Sequence, residues 1–318
     1  MQTSGQADAS VTIVEVGPRD GYQGIGPFIP TEIKIQQLER LYAAGLRRIE
    51  IGSFVSTSAV PQLRDTRDLL AACARLPGLE PQVLVPSERR GREAVEAGAR
   101  RLVFVLSVSE AHNRNNVRRH PLESVGEYER LLAAVPPDVA IRLDVATAFD
   151  CPFTGRVPEA QTLDILERLI PLRRDAEIAL CDTTGRVAPD HVESLFAACL
   201  ERFPDVTGGW VFHGHDTYGL GLANAHAAFR QGVRVFDASF GGLGGCPFAP
   251  GATGNVATED VVWMFERMGV ATGIDVDALV SVARDAAMLP GAISGGRVRD
   301  ALLSRAAGGA CAAEPAAT

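Results

Sequence analysis

The chain has 318 residues, 46% of them hydrophobic, with 31 Lys+Arg against 39 Asp+Glu for a net charge of −8. Its only lysine is Lys34, among Glu32, Gln36 and Gln37 on what reads as an exposed helix face, which excludes imine chemistry on a lysine amine. The absence of any run of about 18 apolar residues excludes a spanning helix, and an acidic balance without a basic block excludes general nucleic-acid binding.

In chain order, short apolar runs alternate with amphipathic stretches. Strands are expected near Val11 to Val16, Arg48 to Ile51, Gln82 to Val85, Leu102 to Leu106, Ala140 to Ala146, Glu177 to Cys181, Trp210 to His215 and Val235 to Phe240. Helices are expected over Thr31 to Ala44, Ala59 to Leu76, Glu88 to Ala97, Leu122 to Val135, Glu159 to Leu172, Pro189 to Arg202 and Leu220 to Arg230. Pro30 and Thr31 open the first of these and Gly45 closes it. Eight strands alternating with helices predict an α/β fold, a single (β/α)₈ TIM barrel. Extra C-terminal helices follow at Thr258 to Met268, Asp275 to Ala287 and Val298 to Leu303. Residues 1–10 are expected to be a flexible arm, 11–305 the catalytic domain and 306–318 a disordered tail. A doubly wound sheet would carry a glycine-rich phosphate turn after its first strand, and here that turn is Gly17-Pro18-Arg19-Asp20-Gly21-Tyr22-Gln23.

Six scattered cysteines with no C-x-x-C spacing, and an N-terminus without the basic and apolar regions of a signal peptide, predict reduced thiols and a cytoplasmic protein. In a barrel the active site lies at the C-terminal ends of the strands. Arg19-Asp20, Glu50, Asp182-Thr183-Thr184, His213-Gly214-His215-Asp216 and the stretch Gly241 to Asn255 all fall there. His213 and His215 are two apart, so on a strand both imidazoles project to one face. With Asp20 as a carboxylate and Asn255 as a further oxygen donor they suit a divalent cation, Mg²⁺ or Mn²⁺, with zinc and iron chemically open. Glu50, a charged residue between Ile49 and Ile51, requires a partner, either Arg19 or the metal shell. Cys246, delivered by a glycine-rich stretch, is a candidate proton donor or acceptor on a loop that closes. The segment Ser107 to Asn116 either binds substrate or is a solvated loop.

These motifs resemble the hydroxymethylglutaryl-CoA lyase family of metal-dependent barrel lyases, related to the isopropylmalate synthases. The resemblance rests on Val14 to Gly21, Ile49 to Ser56, Ser109 to Asn113, Cys151-Pro152-Phe153 with Gly155, Asp182-Thr183, His213 to Gly219, and Gly244 to Ala249 through Gly254-Asn255 and Thr258-Glu259-Asp260. It implies Asp20, His213, His215 and Asn255 as metal ligands, Arg19 as the group that stabilises an enolate, and Cys246 in proton transfer. Glu50 and Asp182 would complete the catalytic shell, with Gln23, Ser53, Ser109 and Asn113 as substrate-binding residues. The implied reaction is a retro-Claisen cleavage of 3-hydroxy-3-methylglutaryl-CoA or a related 3-hydroxyacyl-CoA to acetyl-CoA and a keto acid. An acyl-CoA substrate, no nucleic-acid or membrane partner, a homodimer and a place in leucine degradation go with that reading. The loop Gly24 to Phe28 departs from the family's pattern, which leaves the acyl group open. A Claisen-condensing synthase would share the metal site, and a non-catalytic barrel would have no use for the full set.

Overall fold

The computed structural model describes the backbone of residues 10–246 and 249–307 and the side chains of residues 10–244 and 254–304. The expected arm and tail therefore lie outside the described residues, apart from their inner edges. Eight parallel strands close on themselves: β1 (Thr12–Glu15), β2 (Arg48–Ser53), β3 (Glu80–Val85), β4 (Arg101–Ser107), β5 (Ala140–Ala146), β6 (Glu177–Asp182), β7 (Trp210–Gly214) and β8 (Val235–Ala238). Each strand pairs with its sequence neighbours, and β8 pairs back onto β1 through Thr12↔Val235 to Glu15↔Ala238. Every strand boundary lies within two residues of the expectation. Strands covered on both faces must be apolar almost throughout, which is why these short runs were legible.

The helices are α1 (Thr31–Ala43), α2 (Thr66–Cys73), α3 (Glu88–Glu96), α4 (Glu110–Val117), α5 (Pro121–Ala134), α6 (Glu159–Leu169), α7 (Pro189–Arg202), α8 (Gly221–Arg230), α9 (Thr258–Arg267), α10 (Val276–Ala287) and α11 (Val298–Ala307). Two corrections concern helices. The expected helix from Ala59 is a tight turn at Pro61–Leu63 followed by the shorter α2, since Pro61 has no N–H to donate. The polar segment after β4 is helical rather than a loop: Ser109 caps α4, its Oγ accepting from the His112 N–H at 3.4 Å. Gly45 closes α1 with φ 105°, where a Cβ would stand 2.3 Å from the Gly273 carbonyl.

The main core fills the space between strands and helices. A second, smaller set fills the barrel: Ala179 and Cys181 on β6 and Val211 on β7, with Val235 on β8 packed against them. Below them, at the N-terminal end, Arg48 of β2 reaches across to Glu177 of β6 with two hydrogen bonds of 2.8 and 2.5 Å. That pair closes the bottom of the barrel. Above the small apolar residues the interior becomes charged, and the site begins there.

Lys34 is not exposed. It falls on the stripe of α1 shared with Leu38 and Leu41, and its side chain is fully buried. Its Nζ pairs with Asp65 Oδ1 at 2.8 Å and lies 4.4 Å from the centre of the Phe28 ring. Lys34→Met strands the Asp65 carboxylate, and we expect a loss of about 3 kcal/mol in denaturant unfolding, largely recovered in Lys34→Met/Asp65→Leu. A single-variant loss below about 1 kcal/mol, the range of an exposed pair, would show that Lys34 is not held as described.

Candidate active site

The turn Gly17–Gly21 follows β1 and carries Arg19 and Asp20 into the barrel mouth. Arg19 donates through Nε to Glu50 Oε1 and through Nη1 to Asp20 Oδ1 at 2.6 Å. Among the described residues its Nη2 has no protein acceptor. Glu50, fully buried on β2, also accepts from Gln82 Nε2 at 2.9 Å. Burial lifts its carboxyl above the ordinary range, with Arg19 pulling against that shift.

His213 is the penultimate residue of β7 and His215 lies just beyond the strand, their ring centres 5.2 Å apart. His213 Nδ1 lies 2.9 Å from Asp237 Oδ2 of β8. Burial opposes ionisation of Asp237, but the Arg142 guanidinium holds its carboxyl well below the usual range. A carboxylate so held only accepts, so Nδ1 carries a proton, and Nε2 is the ring nitrogen left to face a ligand. Burial disfavours the His213 cation, but the bond to Asp237 more than offsets this and raises its pKa. For His215, burial and then the neighbouring His213 bring the ring down to about 4, so it is neutral at pH 7. Asp20 also resists ionisation through burial, yet Arg19 and both imidazoles bring it to about 2.

One ligand atom each from Asp20, His213 and His215 fall within 4.8 Å of one another. Asn255 completes the group. Its Nδ2 donates to Asp20 Oδ2 at 2.8 Å and to the Leu243 carbonyl at 3.2 Å, while its buried Oδ1 has no partner. An orphaned amide oxygen beside one carboxylate and two imidazoles fits a divalent cation. Gly244, at φ 122°, is required here because a Cβ would stand 2.8 Å from Asn255 Nδ2.

Asp182, at the end of β6, accepts from the Gly185 N–H at 3.0 Å through Oδ1, and its buried Oδ2 has no partner. Burial raises its carboxyl to about 7. Gln23 Nε2 donates to Asp20 Oδ1 at 2.6 Å, at the exposed rim. Tyr22, one residue earlier, faces inward: its hydroxyl donates to Gln37 Oε1 and its ring meets Phe240 edge-on. Cys246 has its backbone in the hairpin Gly245–Cys246/Ala249–Thr253, and its side chain lies outside the described residues.

Among the described residues, the remaining expected ones make no hydrogen bond to this cluster. Ser53, at the end of β2, is buried and its hydroxyl has no partner. Ser109 accepts from Cys151 Sγ at 3.0 Å and borders a groove of about 740 Å³ beside α4, α5 and α6. Asn113 is fully buried with its amide occupied by the chain: Oδ1 accepts from the Ser107 N–H at 2.8 Å, and Nδ2 donates to the Arg119 carbonyl and Ser124 Oγ, each at 2.9 Å. It fixes α4 to the strand below, which leaves it no donor for a ligand.

The sequence reading missed Arg142, Asp144, Asp237 and Glu15. Arg142, fully buried on β5, donates through Nε to Asp144 at 2.7 Å and through Nη1 and Nη2 to Asp237. The signal was available, since Arg142 and Asp144 are two apart within an apolar strand, the pattern that marked Glu50. Glu15, also fully buried, accepts from the Gly17 N–H at 2.7 Å, the Phe240 N–H at 3.0 Å and Thr258 Oγ1 at 2.7 Å. It ties the turn bearing Arg19 to the base of the glycine-rich loop.

Comparison with known proteins agrees with this architecture. Residues 10–286 match the HMGL-like family. The chain is 40% identical over 294 residues to the (R)-citramalyl-CoA lyase of Chloroflexus aurantiacus, covering 86% of this chain and 89% of that one. The crystal structure of Bacillus subtilis HMG-CoA lyase superposes with a TM-score of 0.88 at 37% identity, covering 93% of this chain and 100% of that one. An HMG-CoA lyase from Acinetobacter baumannii, in complex with coenzyme A and 3-methylmalate, gives a TM-score of 0.85 at 38% identity, covering 92% and 95%. A closed parallel barrel with Arg19, Asp20 and the H-x-H pair at its mouth, on a chain matched from residue 10 to residue 286, belongs to the HMGL-like family.

Proposed function

We propose that the chain is a divalent-metal-dependent carbon–carbon lyase that cleaves 3-hydroxy-3-methylglutaryl-CoA, or a related 3-hydroxyacyl-CoA, to acetyl-CoA and a keto acid. The observation that carries the metal part is the orphaned Asn255 Oδ1 beside Asp20, His213 and His215. Formal charge supports it: Arg19 and Arg142 face Asp20, Glu50, Asp144 and Asp237, two positive against four negative, an excess a divalent ion neutralises. Mg²⁺ or Mn²⁺ suits this donor set and, when bound, would supply Lewis-acid polarisation of the substrate's oxygens. A homodimer and a cytoplasmic location belong to the same reading. The free Cys73, Cys151, Cys181 and Cys199 agree with a reducing compartment, and no helix among the described residues is long and apolar enough to cross a membrane.

In this mechanism Asp182 accepts the proton of the substrate's tertiary hydroxyl through its unpartnered Oδ2. The C2–C3 bond then breaks, its electron pair remaining on C2, and C3 becomes the ketone carbon of the departing keto acid. Arg19 directs Nη2 at the enolate oxygen, while Glu50 and Asp20 hold its other nitrogens. Cys246 delivers a proton to C2 from its loop and yields acetyl-CoA. The (R)-citramalyl-CoA lyase relative favours testing a second acyl group, from which the same cleavage releases a 2-oxo acid.

Three outcomes follow. Incubated with Mn²⁺ and a panel holding hydroxymethylglutaryl-CoA and citramalyl-CoA, the protein releases acetyl-CoA from at least one, and Cys246→Ala lowers kcat by about 100-fold or more. Release from none of the panel would overturn the reading. Asp182 acts as a base only when ionised, so kcat/KM rises as pH increases through about 7 and then levels, and Asp182→Asn loses that limb. A flat wild-type profile from pH 6 to 8 would remove Asp182 from that role. Asp237→Asn takes away the carboxylate behind His213, and Mn²⁺ affinity by electron paramagnetic resonance falls about 10–100-fold. Unchanged affinity would mean that His213 needs no such support.

A further inference from the structure

Asp144 has no part in the proposed cleavage, yet it belongs to the same cavity. It stands two residues after Arg142 on β5, so both side chains enter the barrel. Beside it in register on β6 is Ala179, one of the small residues that fill the barrel interior. Arg142 Nε holds one of its oxygens, Oδ1, at 2.7 Å, and Oδ2 has no hydrogen-bond partner among the described residues. The Arg142 side chain is sealed from solvent, whereas 7% of the Asp144 side chain is accessible. From the inner face of a closed barrel, with small apolar residues below, that opening leads into the mouth. The charge of Asp144 reaches Arg19, Glu50 and His213.

The donors around it are engaged elsewhere. Arg142 gives Nη1 and Nη2 to Asp237, and His213 Nδ1 bonds the same carboxylate. Arg19 gives Nε and Nη1 to Glu50 and Asp20, and the Cys181 thiol points to the Ala179 carbonyl at 3.8 Å. A carboxylate oxygen at the floor of a cavity is costly to leave without a donor once a ligand displaces the water over it, so Asp144 selects what lies against it. The groups on C3 of the proposed substrate divide accordingly. C2 leads to the thioester carbonyl at Arg19, and the hydroxyl lies at Asp182. The acid arm is anionic, so it belongs with the divalent cation and is repelled by Asp144. The fourth branch, a methyl in the 3-hydroxy-3-methylglutaryl group, is the one left to meet Asp144. A methyl has nothing to donate, whereas a branch that ends in a hydroxyl does.

We infer that Asp144 is a specificity-determining residue: its free oxygen accepts a hydrogen bond from a hydroxyl on the fourth C3 branch, so this chain prefers a 3-hydroxyacyl-CoA with a hydroxymethyl branch to its methyl counterpart. The inference rests on the proposed lyase reading and narrows its substrate class. The bond that breaks is still C2–C3, and the keto acid leaves with the extra hydroxyl on the carbon beside its new ketone. Asp144 touches the branch rather than the reacting atoms, so it ranks substrates without changing the chemistry.

The test uses the full chain loaded with Mn²⁺ and three 3-hydroxyglutaryl-CoA thioesters that differ only in the fourth branch on C3: methyl, hydroxymethyl or carboxymethyl. In the wild type, kcat/KM for the hydroxymethyl ester exceeds that for the methyl ester by about tenfold or more, the range of one hydrogen bond to a charged group. The carboxymethyl ester is the poorest of the three, because it sets a second carboxylate against Asp144. Asp144→Asn keeps an oxygen for Arg142 Nε and turns an amide nitrogen toward the branch. The preference for hydroxymethyl over methyl then falls below about threefold, and the carboxymethyl ester gains about tenfold relative to methyl. The wild-type ranking tests the inference without any substitution, and a wild type that favours the methyl ester overturns it. So does an Asp144→Asn variant that slows all three esters by one common factor, the mark of a purely structural role. Wild-type protein that cleaves none of the three loses the lyase reading, and calorimetry with the same esters then decides about Asp144. Tighter binding of the hydroxymethyl ester than of the methyl ester, lost in Asp144→Asn, keeps its role; equal binding of the two, or none, removes it.

Discussion

Arg142 is a guanidinium without access to water, standing in the middle of a barrel of apolar strands. A buried charge of this kind is tolerable only when its partners saturate it, and removal of one partner typically costs about 3–5 kcal/mol. Arg142 is therefore bound to Asp144 and Asp237 together, and Asp237, once fixed, dictates which nitrogen of His213 carries a proton. The catalytic face inherits its geometry from this pair. His213 presents Nε2 upward, His215 stands beside it as a neutral ring, and Asp20 is drawn in by Arg19, which Glu50 and Gln82 anchor in turn. One continuous polar network thus runs from β5 through β8 and β7 to the turn after β1 and the strand β2.

The glycine-rich segment after β8 is joined to this network at two points. Glu15 gathers the N–H groups of Gly17 and Phe240 and the hydroxyl of Thr258, so the turn bearing Arg19 and the start of the segment cannot move apart without baring a carboxylate. Gly244 lets the returning chain pass against Asn255, where any larger residue would press on the amide nitrogen. The cluster of Asp20, His213, His215 and Asn255 is thereby tied to the start of this segment, and Cys246 follows Gly244 by two residues.

Much of this was legible from the residues alone, for a physical reason. Strands enclosed on both sides admit little but apolar side chains, so the eight runs and the few charges interrupting them stand out, and the two-residue spacing of His213 and His215 fixes their common face. The same logic applies to Arg142 and Asp144, which the sequence reading passed over, and a single strand does not reveal that its charges meet an aspartate almost a hundred residues later. Long-range pairing also explains Lys34: its neighbours Glu32 and Gln36 suggested solvent, while the helical period set it on the stripe of Leu38 and Leu41, and its partner Asp65 lies on another element. In the segment after β4, Ser109 capping α4 was hidden by a run of polar residues that reads equally well as a loop.

The burial of Lys34 has a consequence for the chemistry this chain would live with. Thioesters acylate free amines spontaneously, and a protein that concentrates acyl-CoA at its surface is the first target of its own substrate. Here every surface cation is an arginine, which is not acylated under these conditions, and the single ε-amine is out of reach between Asp65 and Phe28. The folded surface therefore offers no lysine to self-modification. A guanidinium keeps the charge needed to hold an anionic substrate while remaining inert toward it.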